Sequence, residues 1–185
     1  MKKYLAFILC MVMALGMTLT GCDSSSDTLN LSSEGNSAAA SQNDQTSYPS
    51  SDVTELVVRF GDDGAPFTMY LEDNSTAAAI AEYVGTTEWR LPVYSYDESN
   101  VMEYYDIPSR YEIPDNSATV TQAHAGDVFY SDPNRIVLYY RDAQVNAEYT
   151  KVGTFDATEE FISAVENNPV LAGWGNQIVI ISVEA

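Results

Sequence analysis

The sequence is poor in the residues from which many enzymes and nucleic-acid binders are built, with two cysteines, one histidine and eight lysines and arginines in 185 residues. One histidine and two cysteines are too little soft-ligand material for a structural zinc site. Twenty-seven acidic side chains against eight basic ones give a net charge of −19. A surface of that sign repels a phosphate backbone, so nucleic acid is not expected as a partner. Nucleophilic hydrolysis needs a serine or cysteine poised beside a histidine; only His124 is available as the base, and no serine sits in a Gly-x-Ser-x-Gly elbow. The Asp-x-Asp-x-Asp-Gly spacing that wraps calcium is also missing. Asp62-Asp63 and Asp97-Glu98 therefore read as solvated acidic turns, and neither a metal nor a cofactor is expected. A carboxylate pair working as acid and base stays formally open, since 22 acids follow residue 52, but nothing in their spacing marks two of them as partners.

Long apolar runs are scarce too. The one at the N-terminus, Leu5 to Met17, has 13 residues; as a helix it reaches about 20 Å, short of the roughly 30 Å hydrocarbon core. Preceded by Lys2 and Lys3, it reads as a secretory signal peptide rather than a permanent span. Leu19-Thr20-Gly21-Cys22 follows and resembles the bacterial lipobox, in which small residues admit the chain to the signal peptidase and the cysteine thiol receives diacylglycerol. An ordinary signal peptide with a chance cysteine is the competing reading. The lipobox implies residues 1–21 as leader, Cys22 as the lipidated N-terminus, and a bacterial envelope protein anchored to the membrane and facing away from the cytoplasm. Asp23 would favour retention at the inner membrane in some Gram-negative bacteria and has no such meaning in a Gram-positive one. Cleavage leaves six of the eight basic residues against all 27 acids, a net charge of −21, and one cysteine, so no internal disulfide can form.

Residues 22–52 carry the lipidated cysteine and then Ser, Asn and Asp in quantity with almost nothing apolar. Such a composition cannot bury enough surface to offset the entropy of ordering it, and reads as a tether with a typical reach of about 30 Å. Residues 53–185 are of a size common for one domain.

Strand signals dominate that domain. Glu55–Phe60, a Gly61-Asp62-Asp63-Gly64 turn and Phe67–Leu71 predict an opening hairpin. Val128–Ser131, Arg135–Arg141, Tyr149–Phe155 and Gln177–Val183 predict further strands. Ile136–Tyr140 and Ile178–Ile181 are apolar at both parities, as in strands covered on both faces. Two helices are expected. Thr76–Val84 follows Asn74 or Ser75 as cap and stops at Gly85 in a left-handed conformation. The second has Asp156 as N-cap with Glu159 completing a capping box, an apolar stripe of Phe161, Ile162 and Val165, and a stop at Asn167-Asn168-Pro169. Many strands with one early and one late helix predict a mainly β fold, a closed barrel whose open ends the helices cover.

Gly126-Asp127-Val128-Phe129-Tyr130, the polar turn Ser131–Asn134, Arg135–Tyr140 and Tyr149–Gly153 together resemble the signature of the bacterial minimal cyclophilin-like family, and Glu103–Pro108 is similar to that family's acidic, aromatic, proline-ended segment. The resemblance runs in order over nearly all of Val53–Val183. It implies a closed cyclophilin-like β-barrel of about eight strands with two capping helices, and little about activity. Prolyl isomerases of the cyclophilin type carry a Phe-His-Arg segment whose arginine hydrogen-bonds the substrate. That segment is absent, and His124 stands in Gln122–Gly126 with no arginine beside it.

What is plentiful is tyrosine, with 11 in the domain, five of them between Trp89 and Pro114: Tyr94, Tyr96, Tyr104, Tyr105 and Tyr111. Flat rings with a polar tip suit grooves for peptides or sugars, although tyrosine is also an ordinary strand residue. Arg90 and Arg110 lie among these rings, where a guanidinium can stack or donate paired hydrogen bonds. Trp89, Arg90, Tyr94, Tyr104, Tyr105 and Arg110 are therefore the candidate lining of a ligand groove; the competing expectation has the rings covering the barrel and the arginines paired with Glu88, Glu103 or Glu112. The function these features suggest is a non-catalytic binding module for an envelope protein, a peptide or a small ligand. A divergent peptidyl-prolyl cis-trans isomerase is the alternative.

Overall fold

The structure, a computed structural model, describes residues 52–94 and 100–184. The leader, Cys22, the tether up to residue 51, Tyr96 and the Asp97-Glu98 turn lie outside the described residues. Among the described residues nine strands and two helices follow one another: β1 Glu55–Phe60, β2 Pro66–Leu71, α1 Ser75–Thr86, β3 Trp89–Pro92, β4 Met102–Asp106, β5 Ala118–Ala123, β6 Asp127–Ser131, β7 Arg135–Tyr139, β8 Ala143–Phe155, α2 Glu159–Glu166 and β9 Ile178–Ser182. Among the described residues no helix is long and apolar enough to cross a membrane.

The expected hairpin forms, with β1 antiparallel to β2 from Glu55 opposite Tyr70 to Arg59 opposite Pro66. Its turn requires glycine. Gly61 has φ +86°, and a Cβ on Gly64 would collide with the Phe60 carbonyl. Around this hairpin the strands run in the order β3-β9-β1-β2-β8-β6-β7-β4, all antiparallel, with β5 paired to the first half of β8. The expectation of a closed barrel needs correction on one point. Among the described residues no ladder joins the end strands β3 and β4; their chains meet in an isolated bridge between Tyr94 and Tyr104.

Alternation along the strands builds two apolar clusters. Ile136, Leu138 and Tyr140 enter the main core with Leu56, Val58, Phe60, Val128, Tyr130, Val179 and Ile181. Val137 and Tyr139 point the other way and pack with Met102, Ala123 and Phe129. The all-apolar run of β7 is therefore covered on both faces, as its composition predicts. β8 begins six residues before the expected Tyr149. Its first half, Ala143–Glu148, alternates half-buried Ala143, Val145 and Ala147 with exposed Gln144, Asn146 and Glu148. Small and polar residues hide that period from a search for apolar runs, and pairing with β5 supplies the order.

Asn74 caps α1, its side chain accepting from the Ala77 amide at 2.9 Å. Gly85 is not the left-handed end expected. It lies inside the helix, and the last turn is satisfied when the Thr86 hydroxyl and the Thr87 amide both donate to the Tyr83 carbonyl. In α2 the cap is Thr158 rather than Asp156: its hydroxyl accepts from the Phe161 amide at 3.2 Å. Asp156 stands two residues too early to reach that donor. Thr158→Ala should cost about 1 kcal/mol and lower the thermal midpoint by a few degrees, whereas Asp156→Ala should leave it unchanged; the reverse order would return the cap to Asp156.

Phe161 and Val165 are the buried side of α2. Phe161 meets Phe155, Phe67 and Phe60 at ring-centroid distances of 4.7, 5.5 and 5.8 Å, so one aromatic ring ties α2 to β1, β2 and β8.

Candidate functional site

The structure does not bring the six predicted lining residues together. Trp89 is buried in the main core and stacks on Tyr111, their centroids 5.3 Å apart. Tyr105 is also in the core, and burial, reinforced by the charge of Glu103, raises the pKa of its hydroxyl far above that of ordinary tyrosine. Arg90 lies on the opposite face of β3 from Trp89 and pairs with Asp62, with Glu88 at 3.9 Å. Arg110 stacks on Tyr111 and donates to its hydroxyl at 2.8 Å. Tyr94 and Tyr104 do meet, in the bridge that joins the sheet ends, with rings 5.6 Å apart and nearly parallel. Strand alternation explains the scatter: the segment contains β3 and β4, and neighbours in a strand face opposite ways.

That same alternation turns an acid inward. In β4, Met102 and Tyr104 face the smaller cluster, while Glu103 shares its parity with Tyr105 and points to the core side. Glu103 is 5 % exposed, and its Oε2 is buried with no hydrogen-bond partner. The expected pairing of Glu103 with Arg90 or Arg110 does not form: Arg90 pairs with Asp62 and Arg110 lies on Tyr111, while Arg135, in the strand paired with β4, donates through Nε to Asp106 at 2.8 Å. Loss of hydration therefore acts unopposed and pushes the Glu103 carboxyl up to about 8 from 4.5, so it is largely protonated at neutral pH.

Glu103 lines a cavity of about 360 Å³ together with Asn100, Met102, Tyr140, Val165, Glu166 and Gln177. These residues come from four separate places in the chain. Asn100, in the left-handed conformation at φ +53°, precedes β4. Tyr140 and Arg141 follow β7, both their amides donating to the Val101 carbonyl. The end of α2 supplies Val165 and Glu166, and Gln177 stands just before β9. At the rim, Arg141 donates to Glu166 Oε1 through Nε at 3.0 Å and Nη2 at 2.5 Å, so these two charges neutralise each other. A buried acid with a displaced pKa in an open cavity is the arrangement most often associated with binding or proton transfer.

A second concavity, about 300 Å³, lies over the smaller cluster and is lined by Met102, Tyr104, Ser131, Arg135, Val137, Ala147, Glu148 and Tyr149. The Arg135 guanidinium carbon sits 4.1 Å from the centre of the Tyr104 ring. His124 is exposed and 3.7 Å from Asp142, at the edge of the molecule and in neither cavity.

A family model described as the cyclophilin-like family matches residues 60–172. The chain belongs to the cyclophilin-like family. No curated protein matches it. Among solved structures the cyclophilin-like domain is similar to the solution structure of the hypothetical protein AF2241 from Archaeoglobus fulgidus, at TM-score 0.47 and 17% identity over 71% of this chain and 95% of that one. It is also similar to McbB in complex with tryptophan, at TM-score 0.49 and 16% identity; the match covers 69% of this chain and 44% of McbB, so the chain spans less than half of that protein.

Within the cyclophilin-like domain, Glu103 was expected as part of an acidic, aromatic segment and as a partner for an arginine, not as a buried site residue. A sharper signal was present. Glu103, Tyr105 and Ile107 alternate, which places an acid on the parity of two core residues once the segment is taken as a strand. Asn100, Tyr140 and Gln177 carried no comparable signal, because only strand pairing brings them near Glu103.

Proposed function

We propose that the chain is a lipid-anchored envelope protein whose cyclophilin-like domain is a non-catalytic module binding a small ligand or a peptide side chain at Glu103. The observation that carries this reading is the buried Glu103 side chain, its Oε2 without a hydrogen-bond partner, lining an open cavity. A group that costs stability and satisfies nothing inside the protein is positioned to satisfy something that enters. In this reading the sheet is a barrel completed at the Tyr94–Tyr104 bridge, and the Glu103 cavity is one mouth of it. Anchoring rests on the lipobox Leu19–Cys22 and the apolar run before it.

The test uses the full chain in detergent micelles against a panel of small polar ligands and proline-containing peptides. Ligands that raise the thermal midpoint should fail to do so on Glu103→Gln, and isomerisation of the peptides should not be accelerated. Ligands that stabilise both proteins equally would remove Glu103 from the site. In cells, Cys22→Ala should abolish incorporation of labelled fatty acid; labelling that persists would refute the anchor.

One observation favours the divergent prolyl isomerase as a second reading. Arg135 lines a groove with the apolar Met102, Val137 and Ala147 and the ring of Tyr104, a guanidinium beside an apolar surface of the kind that reaction uses. Accelerated isomerisation that is lost in Arg135→Ala would establish it in place of the binding module.

A further inference from the structure

We infer that the Glu103 cavity takes the ammonium group of a small organic amine, an inference that rests on the binding reading above. Two side chains on its wall offer an acceptor, Glu103 and Gln177. Glu103 Oε2 is buried and unpartnered. Gln177 has its amide nitrogen engaged by the Asn168 carbonyl at 2.6 Å, which leaves its Oε1 as an acceptor for an incoming donor. Asn168 in turn donates to the Ile178 carbonyl at 3.0 Å, so this wall is held in place by its own hydrogen bonds.

The charges agree with the hydrogen bonding. Among the described residues, the groups around Glu103 that titrate or carry charge are Tyr105 on its own strand, Tyr140 and Arg141 after β7, and Glu166 on α2. Arg141 and Glu166 are committed to each other, and burial raises the pKa of the Tyr105 hydroxyl, which keeps it neutral. Glu103 is then the one group on the cavity wall whose charge has no partner among the described residues. An ammonium group offers three donors and the missing charge, whereas a carbonyl ligand would take only the single proton of the neutral carboxyl and leave the Gln177 Oε1 unmet. The field of a chain with 27 acids and eight basic residues also draws cations toward it. At about 30 Å³ for each water, the cavity displaces on the order of a dozen from its roughly 360 Å³, which suits an amine of a few carbons rather than a folded partner.

Binding moves a proton in a defined direction. The empty site holds a neutral carboxyl; the occupied one holds a carboxylate against the ammonium, and the displaced proton goes to solvent. Below the carboxyl's pKa of about 8 the amine must bear the cost of ionising Glu103, so affinity should rise by about tenfold per pH unit between pH 6 and 7.5 and level off above 8.

The experiment is calorimetric titration of the full chain in detergent with n-propylammonium chloride, with propionamide as the neutral probe of similar size, in amine-free buffers of differing ionisation enthalpy. Propylammonium should bind with release of close to one proton at pH 6.5, with affinity rising toward pH 8. Glu103→Gln should lose at least tenfold in affinity together with the proton release. Gln177→Ala should weaken binding severalfold while keeping the pH dependence, which separates loss of an acceptor from loss of the fold. Propionamide binding in place of propylammonium, with affinity falling above pH 8, would overturn the ammonium assignment while leaving Glu103 as a binding group. Binding of neither probe would overturn the inference, and the binding reading would then stand or fall on whether the ligand panel distinguishes Glu103→Gln from the native chain.

Discussion

Glu103→Gln should make the unliganded domain more stable by about 3 kcal/mol at pH 7, a rise in thermal midpoint of roughly 10 °C for a domain of this size. The sign follows from the proton count. The carboxyl titrates near 8 in the folded chain and near 4.5 when unfolded, so between these values the folded state holds a proton that the unfolded state has released. Stability is therefore highest below pH 4.5 as far as this group is concerned. It falls by about 1.4 kcal/mol per pH unit as pH rises through the window and is flat again above about 8. Glutamine has no proton to release, so the variant should lose this slope and separate from the native protein as pH rises. Melting curves at pH 5, 6, 7 and 8 in amine-free buffer check both effects. Parallel curves for the two proteins would mean that Glu103 is ionised in the fold, against its burial and its missing partner.

Phe161→Ala should have the opposite and comparable effect, a loss of about 3 to 5 kcal/mol. Phe161 is fully buried and its ring touches three other phenylalanines, from β1, β2 and β8. Removing it leaves a cavity where rigid rings cannot collapse, and the aromatic contacts are lost with the apolar transfer energy. Phe161→Leu keeps most of the volume and should cost about 1.5 kcal/mol or less. Urea denaturation of the three proteins gives these differences directly. A change under about 1 kcal/mol for the alanine variant would mean that α2 is not held by this ring. Because α2 also supplies Val165 and Glu166 to the Glu103 cavity, ligands that use the cavity should bind Phe161→Ala more weakly even where the protein remains folded.

Elements that bury an uninterrupted apolar pattern were legible from composition. The β1–β2 hairpin, β7 and β9 each show apolar residues at a period of two or in a solid run, and α2 shows Phe161 and Val165 one helical turn apart. β3, β4 and β5 were not legible, and the reason differs. β3 is four residues long, and β4 mixes two acids, two tyrosines and a methionine over both faces. β5, Ala-Thr-Val-Thr-Gln-Ala, is mostly exposed and has no apolar period to find. The caps shifted by small distances for local reasons: Asp156 and Thr158 are both capping residues, and only backbone geometry shows which oxygen meets the Phe161 amide.

By itself the sequence determined the class of the domain: a mainly β fold with two helices, and the ordered motifs that resemble the cyclophilin-like family to which it belongs. These follow from one-dimensional properties, since charge, apolar run length and local periodicity do not depend on what lies across the sheet. The tertiary structure alone decided where an aromatic or charged side chain points. It sent Trp89 and Tyr105 inward, divided Arg90 from Arg110, and set Glu103 beside Gln177 and the end of α2. A strand turns each successive side chain to the opposite face, and antiparallel pairing joins residues far apart in the chain. A cluster dense in sequence is therefore dispersed in space, and a site is assembled from residues that the sequence keeps apart.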